Sequence, residues 1–258
     1  MKTKTYLIVS IALLIGVSAL ADDVWNYKVW DDCSKNGYRA GYVSEPPADV
    51  QAVDLGLPSG LKWASCNVGA TTPEESGAHY AWGEVLPKQE GYRWATYKYA
   101  YGAYNKLFKY CDDAQYSNSG YIDRRTTLEL EDDAAHVNWG GNWRMPTNAE
   151  WEELIENCTW TQTIQKGVNG YLVTSKTNSN SIFLPAAGDD VNLIWIDYYK
   201  DPWAYYRGYY WSSSLFHNDD PYWDAGPNYA FFVYFDSDRL GCGGYERCSG
   251  YSVRAVCP

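Results

Sequence analysis

The residues with side chains able to do covalent or metal chemistry are few, and their spacing limits which of them act together. Seven cysteines, Cys33, Cys66, Cys111, Cys158, Cys242, Cys248 and Cys257, include no Cys-x-x-Cys pair, and His79, His136 and His217 are too scattered to complete a zinc site. The run Glu131-Asp132-Asp133, followed by His136 and Asn138, offers the hard oxygen ligands that Ca²⁺ takes. It lacks the spaced Asp-x-Asp-x-Asp-Gly loop, and an acidic turn entering a scaffold is the commoner use of such a run. No cofactor is therefore expected, with calcium the one candidate. Ser212, Ser213 and Ser214 sit in no Gly-x-Ser-x-Gly elbow and have no histidine at a recognisable spacing, which argues against a serine hydrolase. Glu152, Glu153 and Glu156 oppose an apolar stripe and read as solvent-facing rather than as a catalytic pair.

Compartment and charge narrow the field. Lys2 and Lys4 precede the apolar run 6–17, and Ala19-Leu20-Ala21 has the small-x-small pattern of a cleavage site, so residues 1–21 read as a signal peptide. No later run approaches the roughly 20 apolar residues of a membrane span. The expectation is an exported protein, periplasmic, outer-surface or extracellular, with no transmembrane segment after cleavage. There an odd number of cysteines leaves one thiol over. The formal net charge is −11, and losing Lys2 and Lys4 with the signal takes it to −13. Such a field repels a phosphate backbone. Nucleic acid is excluded as a partner on that ground, although Lys98, Lys106 and Lys109 interleave with Tyr97, Tyr99, Tyr101 and Tyr104.

The positioning elements follow from local pattern. Residues 22–50 show no period and end near Pro46-Pro47, a stiff spacer, so 22–50 reads as an extension and linker and 51–258 as the domain. Short apolar-aromatic runs then recur between turn residues: "LKWASC", "HYAWGE", "GYLVTS", "SIFLP", "YYWSSS", "NYAFFVYF" and "GYSVRAVC". Their length and aromatic or β-branched content predict strands. Thr177-Asn178-Ser179-Asn180 supplies the turn of a hairpin between two of them. One stretch predicts a helix. Thr147 and Glu150 form a Thr-x-x-Glu capping box after Pro146, and Trp151, Leu154, Ile155 and Cys158 recur on one face, suited to covering a sheet.

In order and spacing, "GGNWRMPTNAEWEEL", "SIFLPAAG", "YYWSSS" and a terminal "GYSVRAVC" resemble the Fibrobacter succinogenes major paralogous domain, of the formylglycine-generating-enzyme-like branch of C-type lectin-like folds. "VDLGLPSGLKWASCNVGA" and "DDAAHVNWGG" resemble openings of secreted relatives from gut Bacteroidetes. The resemblance implies an α+β domain, a C-type lectin-like fold with short twisted antiparallel sheets, one or two helices and long irregular loops. It makes Trp143, Trp151, Trp211 and Arg254 structural. It does not settle function, since such a fold hosts binding modules and enzymes alike. Formylglycine-generating enzymes use a late cysteine pair on copper, and Cys242 and Cys248 lie late here. Their five-residue separation and their neighbours depart from that pattern, so a disulfide pinning a surface loop is the expectation for the pair.

What remains is the aromatic content of 189–211 and 215–229, where Tyr and Trp alternate with Asp, Asn, Lys and Arg without a regular period. Some of these rings must fill the core. The rest resemble recognition loops, where rigid amphipathic rings give contact area at small entropic cost. Trp203, Tyr205, Tyr206, Tyr222, Trp223 and Tyr229 are the expected apolar part of a ligand surface, and Asp219, Asp220 and Asn228 its polar partners. A tail loop with Arg239, Tyr245, Glu246 and Arg247 is its expected other edge. The sequence thus points to a non-catalytic, secreted or cell-surface binding module, an adhesin, taking a glycan or a cell-surface protein. The alternatives are a copper-dependent oxidase of the formylglycine-generating type and a structural protein-interaction domain. The Tyr, Asn, Asp and Ser of the tail also resemble regions rewritten by diversity-generating retroelements.

Overall fold

The computed structural model describes residues 46–188, 207–217 and 225–258, and from Glu45 to Pro258 the chain forms a compact unit. The segment 1–21 and the extension before residue 46 lie outside the described residues. The described chain is α+β. Its elements run β1 (Ala52–Asp54), β2 (Lys62–Asn67), β3 (His79–Tyr80), α1 (Ala134–Trp139), α2 (Asn148–Asn157), β4 (Cys158–Gln165), β5 (Val168–Ser175) and β6 (Ser181–Pro185). Then come β7 (Gly208–Leu215), β8 (Tyr229–Phe235), β9 (Leu240–Glu246), β10 (Tyr251–Ser252) and β11 (Arg254–Cys257). Three sheets result, ordered β1-β2-β11, β3-β10-β7-β8-β9 and β4-β5-β6. Neighbours are antiparallel except β10 with β7.

The aromatic runs become strands because alternate rings fill two cores on opposite sides of the five-stranded sheet. In β7, Trp211 joins Trp82, Phe232 and Tyr251 on one side. Its neighbour Tyr210 joins Trp63, Trp151, Val233 and Phe235 on the other. Burying rings of this size contributes about 2–3 kcal/mol each in area removed from water. The indoles are also tied by hydrogen bonds: Trp211 Nε1 donates to Tyr80 O at 2.8 Å, Trp82 Nε1 to Ser212 O at 2.9 Å and Trp151 Nε1 to Trp211 O at 3.3 Å.

Helix α2 begins where the capping box places it. Thr147 Oγ1 accepts from Glu150 N, and the Glu150 carboxylate accepts from Thr147 N at 2.8 Å. Arg144 donates to both Glu150 oxygens and braces the cap. Trp151 and Leu154 are fully buried, with Trp151 against Trp63 and Tyr210. Glu152 and Glu156 are exposed, while Glu153 accepts from Ser59 N and Oγ at 2.8 and 2.6 Å. The helix runs straight into β4, since the following Thr-Trp-Thr-Gln-Thr-Ile favours extended backbone.

Arg254 is fully buried and donates to Asn67 Oδ1, Ala64 O and Phe183 O at 2.8, 2.8 and 2.9 Å, joining β2 to β6. Trp143 is half-buried, edge-on to Trp139 at 5.5 Å between centroids. The expected tail loop is instead strand β9, paired with β8 along its whole length. Its three glycines hide it from a strand reading, and the packing explains one of them. A Cβ on Gly244 would lie 2.4 Å from the Phe216 ring.

Candidate functional site

At the end of the five-stranded sheet where β7 stops and β8 starts, the chain leaves an open cleft of about 350 Å³. Asp112, Asp113 and Ala114 supply one wall, Ala225, Gly226 and Pro227 another, and Phe216 and His217 complete the lining. His217 Nδ1 stands 3.4 Å from Asp112 Oδ2. Asp113 is partly committed, because its Oδ1 caps the turn at Gln115 N at 2.8 Å. Tyr116 packs tightly under the second wall, since a Cβ on Gly226 would lie 2.3 Å from its ring. Tyr104, half-exposed, lies 6.3 Å from Tyr116, and Tyr101 and Tyr121 are exposed on the same 100–122 segment. Carboxylates and an imidazole thus line the cleft, with the Tyr104 ring two contacts away through Tyr116.

The walls are held from beneath by Arg247. Its side chain is fully buried, with Nη1 donating to both Tyr110 O and Pro227 O at 2.8 Å, Nη2 to Lys109 O at 3.1 Å and Nε to Tyr97 Oη at 2.9 Å. The guanidinium lies 4.8 Å from the Trp82 ring centroid. Carbonyl oxygens and π-faces together satisfy this interior cation. Burial pushes the Tyr97 hydroxyl far above its ordinary range despite the neighbouring Arg247, so it stays protonated.

Next to this clamp, Asp132 gathers the lysines that interleave with tyrosines in the sequence. It accepts from Tyr99 Oη, from Tyr110 Oη at 2.7 Å, from Lys109 Nζ at 2.5 Å and from Lys98 Nζ at 3.2 Å. Burial works to raise the Asp132 carboxyl, but the donors from Lys109, Tyr99 and Tyr110 hold it below the usual carboxylate range. Oxygens of Glu129, Glu131 and Asp132 lie within 4.8 Å of one another, as a cation site would need. The Lys109 ammonium reaches all three, at 2.8, 3.1 and 2.5 Å.

Of the acidic run and its followers, Glu131 and Asp132 belong to this triad, whereas Asp133, His136 and Asn138 are turned to other partners. Asp133 caps α1 at His136 N and accepts from Met145 N, at 2.9 and 2.8 Å. His136 Nδ1 lies 3.1 Å from Trp143 O, and Asn138 Nδ2 donates to Val85 O and Ala134 O. Burial raises the Asp133 carboxyl to about 6, against those donated bonds.

Of the expected ligand surface, Trp203, Tyr205, Tyr206, Asp219, Asp220, Tyr222 and Trp223 lie outside the described residues. The remaining residues divide. Asn228 and Tyr229 continue directly from the Pro227 wall, with Tyr229 N donating to Gly226 O and Phe216 N to Tyr229 O, both at 3.1 Å. Glu246 pairs across the ladder with Tyr229, and the half-exposed Tyr245 with Ala230, at the same sheet end. Arg239 does not join them. It sits at the far turn of the β8–β9 hairpin, where Nε and Nη2 bind Asp236 Oδ2 at 2.9 and 2.6 Å. Arg247 is corrected from a rim residue to an interior one. Sequence reading missed the pair Asp112-Asp113, remote in the chain from Phe216 and His217, which fall within the 215–229 segment but were not singled out in it.

The expected Cys242–Cys248 bridge is not formed, and the six described cysteines are free. Cys242 packs against the core of Trp63 and Trp151, whereas Cys248 belongs to the core of Trp82 and Trp211. Burial pushes the Cys242 thiol up to about 11 and the Cys248 thiol higher still. Neither is poised as a thiolate at neutral pH.

No family model, curated protein or solved structure matches this chain.

Proposed function

We propose that this chain is an exported, non-catalytic binding module of C-type lectin-like fold that captures a glycan of a cell surface in the cleft between Asp112 and Pro227. The observation that carries the reading is the lining of that cleft. Asp112 and His217 stand 3.4 Å apart, both partly exposed, and Phe216 lines the same cleft. Carboxylate and imidazole suit sugar hydroxyls as acceptors and donors, and flat aromatic faces suit the apolar faces of sugar rings. The volume of about 350 Å³ is at the lower end of small-ligand clefts, matched to one or two sugar units. Tyr229, Tyr245 and Glu246 lie at the same end of the sheet, whereas Asn228 is buried beneath it.

The test is a glycan panel screened with the chain from residue 22 onward, followed by titration of any hit against Asp112→Asn, His217→Ala and Tyr104→Ala. Losing one charge-assisted hydrogen bond or one stacking face should weaken binding about tenfold or more. Unchanged affinity in all three variants would remove the cleft from the account.

A further inference from the structure

We propose that the outer edge of β4 pairs antiparallel with the same edge of a second copy of this chain, joining two three-stranded sheets into one. β4 is the terminal strand of its sheet, bonded to β5 without a register shift from Cys158↔Ser175 to Gln165↔Val168. The turn between them is the two residues Lys166 and Gly167, both at positive φ, 47° and 86°. The pair flanking a two-residue turn exchanges both backbone hydrogen bonds, and pairs alternate from there. Gln165, Thr163, Thr161 and Thr159 therefore spend their backbone groups on β5. Those of Ile164, Gln162 and Trp160 point outward, and among the described residues no backbone hydrogen bond from outside the hairpin reaches them.

An open edge of this length is ordinarily blunted by charge, proline or a bulge. β4 has none of these: Cys-Thr-Trp-Thr-Gln-Thr-Ile-Gln contains no charged residue, Pro or Gly. Its order also selects the partner. Centred on Gln162, the strand opposes itself with like chemistry: Gln162 meets Gln162, each Thr161 meets Thr163 of the second copy, and each Trp160 meets Ile164. Ile164 is 63% exposed, the most exposed large hydrophobic side chain among the described residues. An aromatic ring opposite a β-branched residue is a favourable cross-strand pair, and this register brings no like charges directly opposite in an acidic protein. A foreign strand would have to reproduce this match, whereas a second copy supplies it by symmetry.

Sedimentation velocity over a wide concentration range should show a reversible monomer–dimer equilibrium. Ile164→Lys, which charges the edge, and Gln162→Pro, which removes one outward N–H and none of the bonds to β5, should each raise the dimer dissociation constant at least about tenfold. The thermal midpoint at low concentration should stay unchanged for Ile164→Lys. Gln162→Cys should form an intermolecular disulfide on mild oxidation much faster than Thr159→Cys, which does not face itself across the two-fold axis. A monomer at every concentration, a dimer that survives Ile164→Lys, or equal cross-linking of the two cysteine variants would each overturn the proposal.

Discussion

Arg247 Nη1 lies 2.8 Å from the carbonyl oxygen of Pro227, and the same nitrogen donates to Tyr110 O on the opposite side. One interior guanidinium therefore ties Pro227, which lines the cleft, to Tyr110, two residues before Asp112. Replacing it with Met should leave at least two buried carbonyls without donors and cost about 3 kcal/mol or more by urea denaturation. Arg247→Lys should recover only part of that, because an ammonium cannot reproduce the planar fork. A midpoint unchanged from wild type in Arg247→Met would show that the side chain is not interior.

The helix that opens the second half of the domain is bound by its indole. Trp151 is fully buried between Trp63 and Tyr210, so Trp151→Ala should cost about 3 to 5 kcal/mol by chemical denaturation. Trp151→Phe, retaining much of the volume, should cost markedly less.

The pH dependence of the α2 cap has a defined sign. Burial works to raise the Glu150 carboxyl, but the Arg144 fork and the Thr147 donors bring it below its ordinary value. A depressed folded pKa means that the unfolded chain binds the proton more readily. The stabilisation is present above the ordinary glutamate range and is lost as pH falls through the folded value. Glu150→Gln should destabilise by about 1 kcal/mol at pH 7, with the difference from wild type shrinking toward zero in acid. A constant difference across that range would contradict the ion pair. Because Asp133 titrates alike in both proteins, its raised carboxyl, which favours the folded state less as pH rises toward 6, cancels in the comparison.

Thiol chemistry gives a separate check. With Cys242 and Cys248 on opposite sides of the sheet, both should be alkylated in the unreduced protein once it is unfolded. In the folded protein Cys248, buried and protonated, should react far more slowly than the partly exposed Cys242. Peptide mapping that finds the pair linked would reverse this.

The sequence made the start of α2 legible to the residue, because Thr147, Glu150 and Trp151 encode a cap and a stripe within one short window, but Cys158, read as the end of the stripe, opens β4. It also marked β2, β5, β6, β7 and β8, whose aromatic and β-branched residues carry local signals. Strand β9 escaped because its three glycines read as a loop, and the one that packing demands, Gly244 under the Phe216 ring, answers to a tertiary constraint with no local trace. The site escaped for the same kind of reason. Asp112 and His217 are more than a hundred residues apart, and only the turn after β7 brings them together. Arg247 looked like a surface charge because nothing nearby in the chain announces the carbonyls it serves.

The central claim is that the cleft between Asp112 and Pro227 is where ligand is held. Backbone amide shifts of the isotopically labelled chain, followed during titration with the best glycan from the panel, test it most directly. The account predicts saturable changes concentrated at Asp112–Ala114, His217 and Gly226, with the Arg239 turn undisturbed. Changes centred on that turn, or a ligand bound with the cleft residues unmoved, would contradict it.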